Sequence, residues 1–106
     1  MTFDEYQKNT RKTAKYPKEH ALTYLCLGVA SEGGEVAGKM KKFIRDSLNS
    51  DEAMEAILAE VGDVLWYCAR IADELGISLE EVAKNNIAKL EDRNARNVIS
   101  GSGDNR

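Results

Sequence analysis

Residues 29–44, "VASEGGEVAGKMKKFI", and residues 57–75, "ILAEVGDVLWYCARIADEL", decide the fold of this chain. In the first, Val29, Gly33, Val36, Met40, Phe43 and Ile44 recur every three or four residues, and Leu22, Leu25 and Cys26 extend the same stripe backward. In the second, Ile57, Val61, Val64, Leu65, Cys68, Ile71, Ala72 and Leu75 keep that rhythm. Such spacing places apolar side chains on one face of an α-helix. The spacing predicts one helix over about residues 20–46 and a second ending at Leu75, with Gly76 as the residue that stops it.

Two shorter helices flank this pair. Thr2 with Glu5 three residues on forms a capping box that opens a first helix, fading near Ala14 before Tyr16-Pro17. It is expected to pack loosely or across a subunit boundary. Asn49 or Ser50 caps the third helix, and Ser78 with Glu81 opens a fourth that runs to about Arg96. No strand pattern and no internal repeat is present. The expected fold is all-α, a four-helix bundle over residues 1–97, followed by a Gly/Ser-rich tail at 98–106 that composition alone marks as flexible.

Composition narrows the function classes. The chain has 106 residues, a net charge of −3, 31% charged residues and a single proline. One domain of this size buries only roughly 60–70% of its unfolded surface, so a thin core favours self-association. The mild negative charge argues against binding long nucleic acid, which needs a basic face. No apolar run approaches the roughly 18–20 residues that cross a membrane, and the N-terminus lacks a signal-peptide pattern, so a cytoplasmic location is expected. Cys26 and Cys68 fall within the apolar stripes and read as reduced core thiols.

The chemistry lies in four acids. Glu32 and Glu35 on the second helix, and Glu60 and Asp63 on the third, share the spacing acid-x-x-acid. Glu32 stands between Val29 and Val36, and Glu60 between Ile57 and Val64, so each lies on an apolar stripe. An ionised carboxylate there needs a compensating partner. No lysine or arginine occupies either stripe, whereas two antiparallel helices could gather the acids around a divalent cation. An all-oxygen set without histidine suits Mg²⁺, with Mn²⁺ as a substitute. The ferritin-like di-iron arrangement needs Glu-x-x-His pairs, and the single histidine, His20, makes none. Gly28, Gly33, Gly34, Gly38 and Gly62 all fall in the two acidic helices, each costing about 1 kcal/mol against alanine. Close approach of a backbone or a ligand is the expected reason.

The segments "ASEGGEVAGKMKKFIRD" and "LAEVGDVLWYCARIADELGISLEEVAKNNIAKLEDR" closely resemble the MazG-like nucleoside triphosphate pyrophosphohydrolases of the all-α NTP pyrophosphatase superfamily. The opening "FDEYQKNTRKTA" and closing "GSGDNR" also resemble small single-domain members. The family's first motif is E-E-x-x-E, and Ser31 stands in place of its first glutamate. The resemblance implies Mg²⁺-dependent conversion of an NTP or dNTP to the monophosphate and pyrophosphate, a house-cleaning role in the nucleotide pool, in a homodimer or homotetramer. It implies Glu32, Glu35, Glu60 and Asp63 as metal ligands, with Glu35 or Glu32 holding or deprotonating the attacking water. Lys39, Asn86, Lys89 and Arg93 are the implied phosphate-side contacts, Tyr67 (with Tyr6 and Trp66) the base-side aromatics, and Asp104 and Arg106 contacts from a tail that orders over substrate. The competing readings are a non-catalytic, cation-binding helical interaction module, and a dUTPase-like specificity on the same metal site.

Overall fold

The computed structural model describes all of residues 1–106 and is all-α, with helices α1 (Phe3–Thr10), α2 (Ala21–Asp46), α3 (Ser50–Glu74) and α4 (Leu79–Ala95). Single 3₁₀ turns at Arg11–Thr13 and Lys18–His20 interrupt the path from α1 to α2. The helix starts follow from their capping residues. Thr2 Oγ1 accepts from the Glu5 backbone N–H at 3.1 Å while the Thr2 N–H donates to the Glu5 carboxylate at 3.3 Å. The Asn49 side chain accepts from the Asp51 N–H at 2.8 Å, and Ser78 Oγ from the Glu81 N–H at 3.0 Å. The stops are two copies of one device. At the end of α3, Gly76 takes a φ of 73° while the Ile77 N–H reaches the Ala72 carbonyl at 2.9 Å. At the end of α4, Asn97 takes a φ of 58° and the Val98 N–H reaches the Arg93 carbonyl at 2.9 Å. Both are Schellman closures, which need a residue that tolerates the left-handed region.

The long helices α2 and α3 form an antiparallel hairpin across the short link at Ser47–Asn49. α2 runs without a break through Gly33-Gly34. The expectation that its glycines serve close approach is met at Gly28 alone. A Cβ there would lie 2.0 Å from Tyr67 Cε1, so the tyrosine ring occupies the space a side chain would take. At Gly33, Gly34, Gly38 and Gly62 a Cβ would meet nothing within 4 Å.

Within the chain α1 does not pack loosely. It docks on the C-terminal half of α3 through buried polar side chains. The Gln7 amide donates to the Ile77 carbonyl at 2.9 Å and its oxygen accepts from the Leu79 N–H at 3.0 Å. One side chain thereby ties α1 to the α3–α4 link. Arg70, also buried, donates to Asp73 at 2.7 Å, to Thr10 Oγ1 at 3.3 Å and to the Tyr16 hydroxyl at 3.1 Å. Arg11 grips Asp73 from the other side, with both nitrogens within 2.9 Å of its oxygens. The Tyr16 hydroxyl in turn donates to Glu74. No buried side-chain polar atom is left without a partner.

The apolar core is correspondingly small: Leu25, Ala53, Ala69, Ala72 and Leu79 are its fully covered members. The radius of gyration is 16.5 Å, against about 13 Å for a compact chain of this length. Leu22, Met40 and Ile44 stay exposed along one flank of α2, and Met54, Leu58 and Val61 along one flank of α3. Cys26 is exposed too, so it is not the core thiol that its place in the stripe implies; Cys68 is half-buried and both thiols are free. The tail does not trail away from α4. Arg106 folds it into a closed turn by donating to the carbonyls of Val98 at 3.0 Å, Ile99 at 2.8 Å and Gly103 at 2.6 Å.

Two measurements check the α1 dock. Gln7→Ala strands the Leu79 N–H and the Ile77 carbonyl, and is expected to lower unfolding free energy by about 1–3 kcal/mol in urea titrations. The bond from Arg11, then those from Arg70, hold the Asp73 carboxyl at about 2, against its ordinary 3.8, although partial burial pulls the other way. A depressed carboxyl stabilises the fold fully above its unfolded value and loses that contribution as pH falls through its folded value. Asp73→Asn is therefore expected to be less stable than the parent at neutral pH, by about 1–3 kcal/mol. The gap should close as pH drops from about 4 to about 2.

Candidate metal centre

At the seam of the hairpin, Glu32 of α2 meets Glu60 and Asp63 of α3. One carboxylate oxygen from each lies within 4.8 Å of the others. The juxtaposition follows from register. Glu32 projects from the face of α2 that packs on α3, and Glu60 and Asp63 sit one turn apart on α3. Three like charges at this separation repel one another. Partial burial pushes the Glu32 carboxyl above its ordinary value, and the charges of Asp63, Glu60 and Glu35 raise it further. A divalent cation held by all three would relieve that repulsion, and an all-oxygen donor set is the kind that hard cations prefer.

Glu35 stands apart from this trio. Glu35, one turn beyond Glu32, is exposed to solvent and is not among the carboxylates that converge there. Its charge still acts on Glu32. Lys39, two turns beyond Glu32, reaches back over the seam, with its ammonium 3.7 Å from the Glu60 carboxylate. Neither apolar stripe carries a lysine or arginine, so this cation comes to the acids from beside the stripe. Lys39 is off the apolar stripe in sequence, yet its long flexible side chain bends to it.

Beside the acids opens a cleft of about 320 Å³ lined by Thr13, Glu32, Asp63, Trp66 and Tyr67. Trp66 is pinned by a 2.8 Å hydrogen bond from its indole nitrogen to Thr13 Oγ1, and it meets Tyr67 edge-to-face at 4.9 Å between centroids. Tyr16 packs edge-on to Trp66 at 6.5 Å and stacks on Tyr24 at 5.7 Å. The phenol of Tyr67 is pushed up by burial, by nearby Tyr24 and by the charge of Glu32. Burial does the same to Tyr6, with the charge of Asp63 adding to it. Reading the sequence alone misses Thr13, Tyr16, Tyr24 and Arg70. For Thr13 and Tyr16 the signal is the segment "TAKYP", a short strap before Pro17 that lies against Trp66 of α3; Tyr24 and Arg70 carry no such local signal.

The implied phosphate-side residues of α4 lie elsewhere on the chain. Asn86 is exposed on the helix surface. Lys89 and Arg93, one turn apart, both hold Asp104 of the tail, each at 3.2 Å from the same carboxylate oxygen. Arg93 also donates to the Asp104 backbone carbonyl at 2.6 Å. Lys89, then Arg93, hold the Asp104 carboxyl below its ordinary value. Arg106 spends its donors on the tail's own carbonyls.

The MazG nucleotide pyrophosphohydrolase domain matches residues 20–98, which span α2, α3 and α4 and include all four acids. The Gene 37 protein of Mycobacterium phage L5 is 40% identical over 114 aligned positions that cover the whole of both chains. No solved structure matches the chain significantly. With its helical hairpin, its acidic seam and a domain match across most of its length, the chain belongs to the MazG nucleotide pyrophosphohydrolase family.

Proposed function

We propose that this protein is a Mg²⁺-dependent pyrophosphohydrolase that converts a nucleoside triphosphate to its monophosphate and pyrophosphate, with Mn²⁺ able to substitute. The observation that carries the reading is the three-carboxylate seam of Glu32, Glu60 and Asp63 opening directly into an aromatic cleft. Phosphoryl chemistry asks the protein mainly for positioning and charge, with little covalent work. Bound Mg²⁺ supplies neutralisation of the polyphosphate and polarisation of its phosphorus.

The chain's own residues divide the remaining tasks. Glu32, Glu60 and Asp63 would hold the cation. Glu35, exposed and outside the trio, is the carboxylate available to orient a water and take its proton. Lys39 keeps a positive charge beside the acids, where it could meet a phosphate oxygen of the substrate. Trp66 and Tyr67 offer ring faces and edges to a nucleobase, an apolar wall with polar tips. Ser31 lines a neighbouring recess of about 260 Å³ with Tyr24, Leu27, Gly28 and Tyr67. A hydroxyl there in place of a glutamate removes one negative charge from the approach to the seam.

The working form is an oligomer in which a second copy covers the exposed flanks of α2 and α3. Contiguous apolar surface of this kind marks an interaction site, and the small core supports the same reading.

A panel of NTPs and dNTPs incubated with Mg²⁺, with products resolved, tests the assignment. Monophosphate plus pyrophosphate is expected; diphosphate plus phosphate would overturn it, and no turnover on any nucleotide would favour a non-catalytic cation-binding module. Cleavage restricted to deoxyuridine triphosphate would make the enzyme a dUTPase-like member. Glu60→Gln should reduce turnover by more than about a hundredfold while leaving the helical circular dichroism unchanged. In sedimentation experiments the double variant Ile44→Glu/Leu58→Glu should run as a monomer with intact helicity, since both side chains are exposed within one chain.

A further inference from the structure

Trp66, the chain's single tryptophan, is held from two directions, and both holds begin at one buried guanidinium. Arg70 lies four residues beyond Trp66 on α3, so the two side chains share a face one turn apart. The first arm runs through Tyr16. Nε and one terminal nitrogen of Arg70 donate to the Tyr16 hydroxyl at 3.2 and 3.1 Å, and that hydroxyl donates on to Glu74. The ring so anchored meets Trp66 edge-on, at an interplanar angle of 83°, and stacks on Tyr24 of α2. The second arm runs through the end of α1. The other terminal nitrogen of Arg70 donates to Thr10 Oγ1 at 3.3 Å, and the Thr10 carbonyl accepts from the Thr13 hydroxyl at 3.2 Å. Thr13 Oγ1 then accepts the indole N–H of Trp66 at 2.8 Å.

Two features set this arrangement apart from packing that only covers a core. Thr13 and Trp66 line the cleft beside Glu32 and Asp63, whereas Arg70, with 5% of its side chain exposed, lies outside that lining. The brace is therefore behind the wall and the wall faces the ligand space. In addition, the one donor of Trp66 and the hydroxyl proton of Thr13 are both spent inside the chain. What Trp66 gives the cleft is ring surface in a fixed orientation. A large side chain that has to be ordered when a ligand arrives weakens binding by about three- to tenfold, and one ordered beforehand does not.

We propose that Thr13 and Tyr16 are positioning residues for nucleotide binding, which, braced by Arg70, preset the Trp66 ring as a rigid wall of the cleft. The nucleotide as ligand rests on the reading above; the clamp on Trp66 rests on the contacts just described. Control of affinity is thereby placed outside the cleft, on the strap that joins α1 to α2. The docking of α1 sets how well the cleft is formed.

Because Trp66 is the only tryptophan, its fluorescence reports the wall directly. Nucleoside monophosphates with Mg²⁺ are suitable probes, since they are products and are not turned over. At least one of the common bases should quench Trp66 saturably in the parent chain. Thr13→Val keeps the shape of the side chain but offers no acceptor, and should bind that monophosphate about three- to tenfold more weakly. Thr13→Ser restores the hydroxyl and should bind like the parent. Tyr16→Phe keeps the ring, loses its tie to Arg70, and should weaken binding in the same direction. Without ligand, Thr13→Val and Tyr16→Phe should both lower the fluorescence anisotropy of Trp66. In turnover, KM should rise in both variants while kcat holds, because neither side chain hydrogen-bonds a carboxylate of the seam. The proposal fails if no monophosphate quenches Trp66, if Thr13→Val binds as the parent does, or if Thr13→Ser loses as much as Thr13→Val. It fails equally if thermal stability drops while anisotropy and affinity stay at parental values, as they would if the strap only anchored α1. Monophosphate binding with the predicted losses, but no turnover of any triphosphate, would remove the enzymatic assignment and uphold the clamp.

Discussion

Mutual repulsion among Glu32, Glu60 and Asp63 is the constraint around which the rest of the chain is arranged. Three carboxylates whose oxygens lie within 4.8 Å of each other oppose the pairing of the helices that carry them. The pairing must therefore be secured away from the acids. Leu25 and Gly28 pack one end of α2, where the Tyr67 ring sits in the glycine's empty side-chain space. Ala53 is buried near the start of α3. Around the acids themselves, the hairpin offers only Lys39 as an internal counter-charge. One lysine against three carboxylates leaves the seam with a net negative charge, which a divalent cation could offset.

The α1 strap is a second consequence of the same economy. A chain with so few fully buried apolar residues cannot fix α3 by hydrophobic contact alone. It uses polar side chains with two or more partners each. Gln7 satisfies both a carbonyl and an N–H of the α3–α4 link. Arg70 gathers Thr10, Tyr16, Asp73 and Glu74. The same network ends at Tyr16, which packs on Trp66, so the elements that hold α1 also set one wall of the cleft. Stability and site geometry share residues here.

Much of this was legible in the sequence where a local rule governs. The helix starts at Thr2, Asn49 and Ser78, and the stop at Gly76, follow from capping chemistry that acts over three or four residues. The hairpin acids were legible because charged residues on an apolar stripe demand a reason. What escaped was non-local. Arg70 reads as a surface residue of α3 until α1 covers it, and the packing that buries it links residues sixty positions apart. Cys26 reads as core because it belongs to the stripe, yet α3 covers only part of that stripe's width. The glycines invited a single explanation and required two, since only Gly28 is in contact within the chain. In the tail, composition names the turn formers but does not reveal that Arg106 fills the turn they make.

The seating of Tyr67 on Gly28 also constrains how this cleft can change over generations. Alanine, the smallest replacement for glycine, already places an atom inside the tyrosine ring's space. A side chain at position 28 therefore requires the Tyr67 ring to leave its present seat, by moving or by replacement. The two positions are coupled, so a change in the helix behind the cleft is felt as a change in the cleft wall.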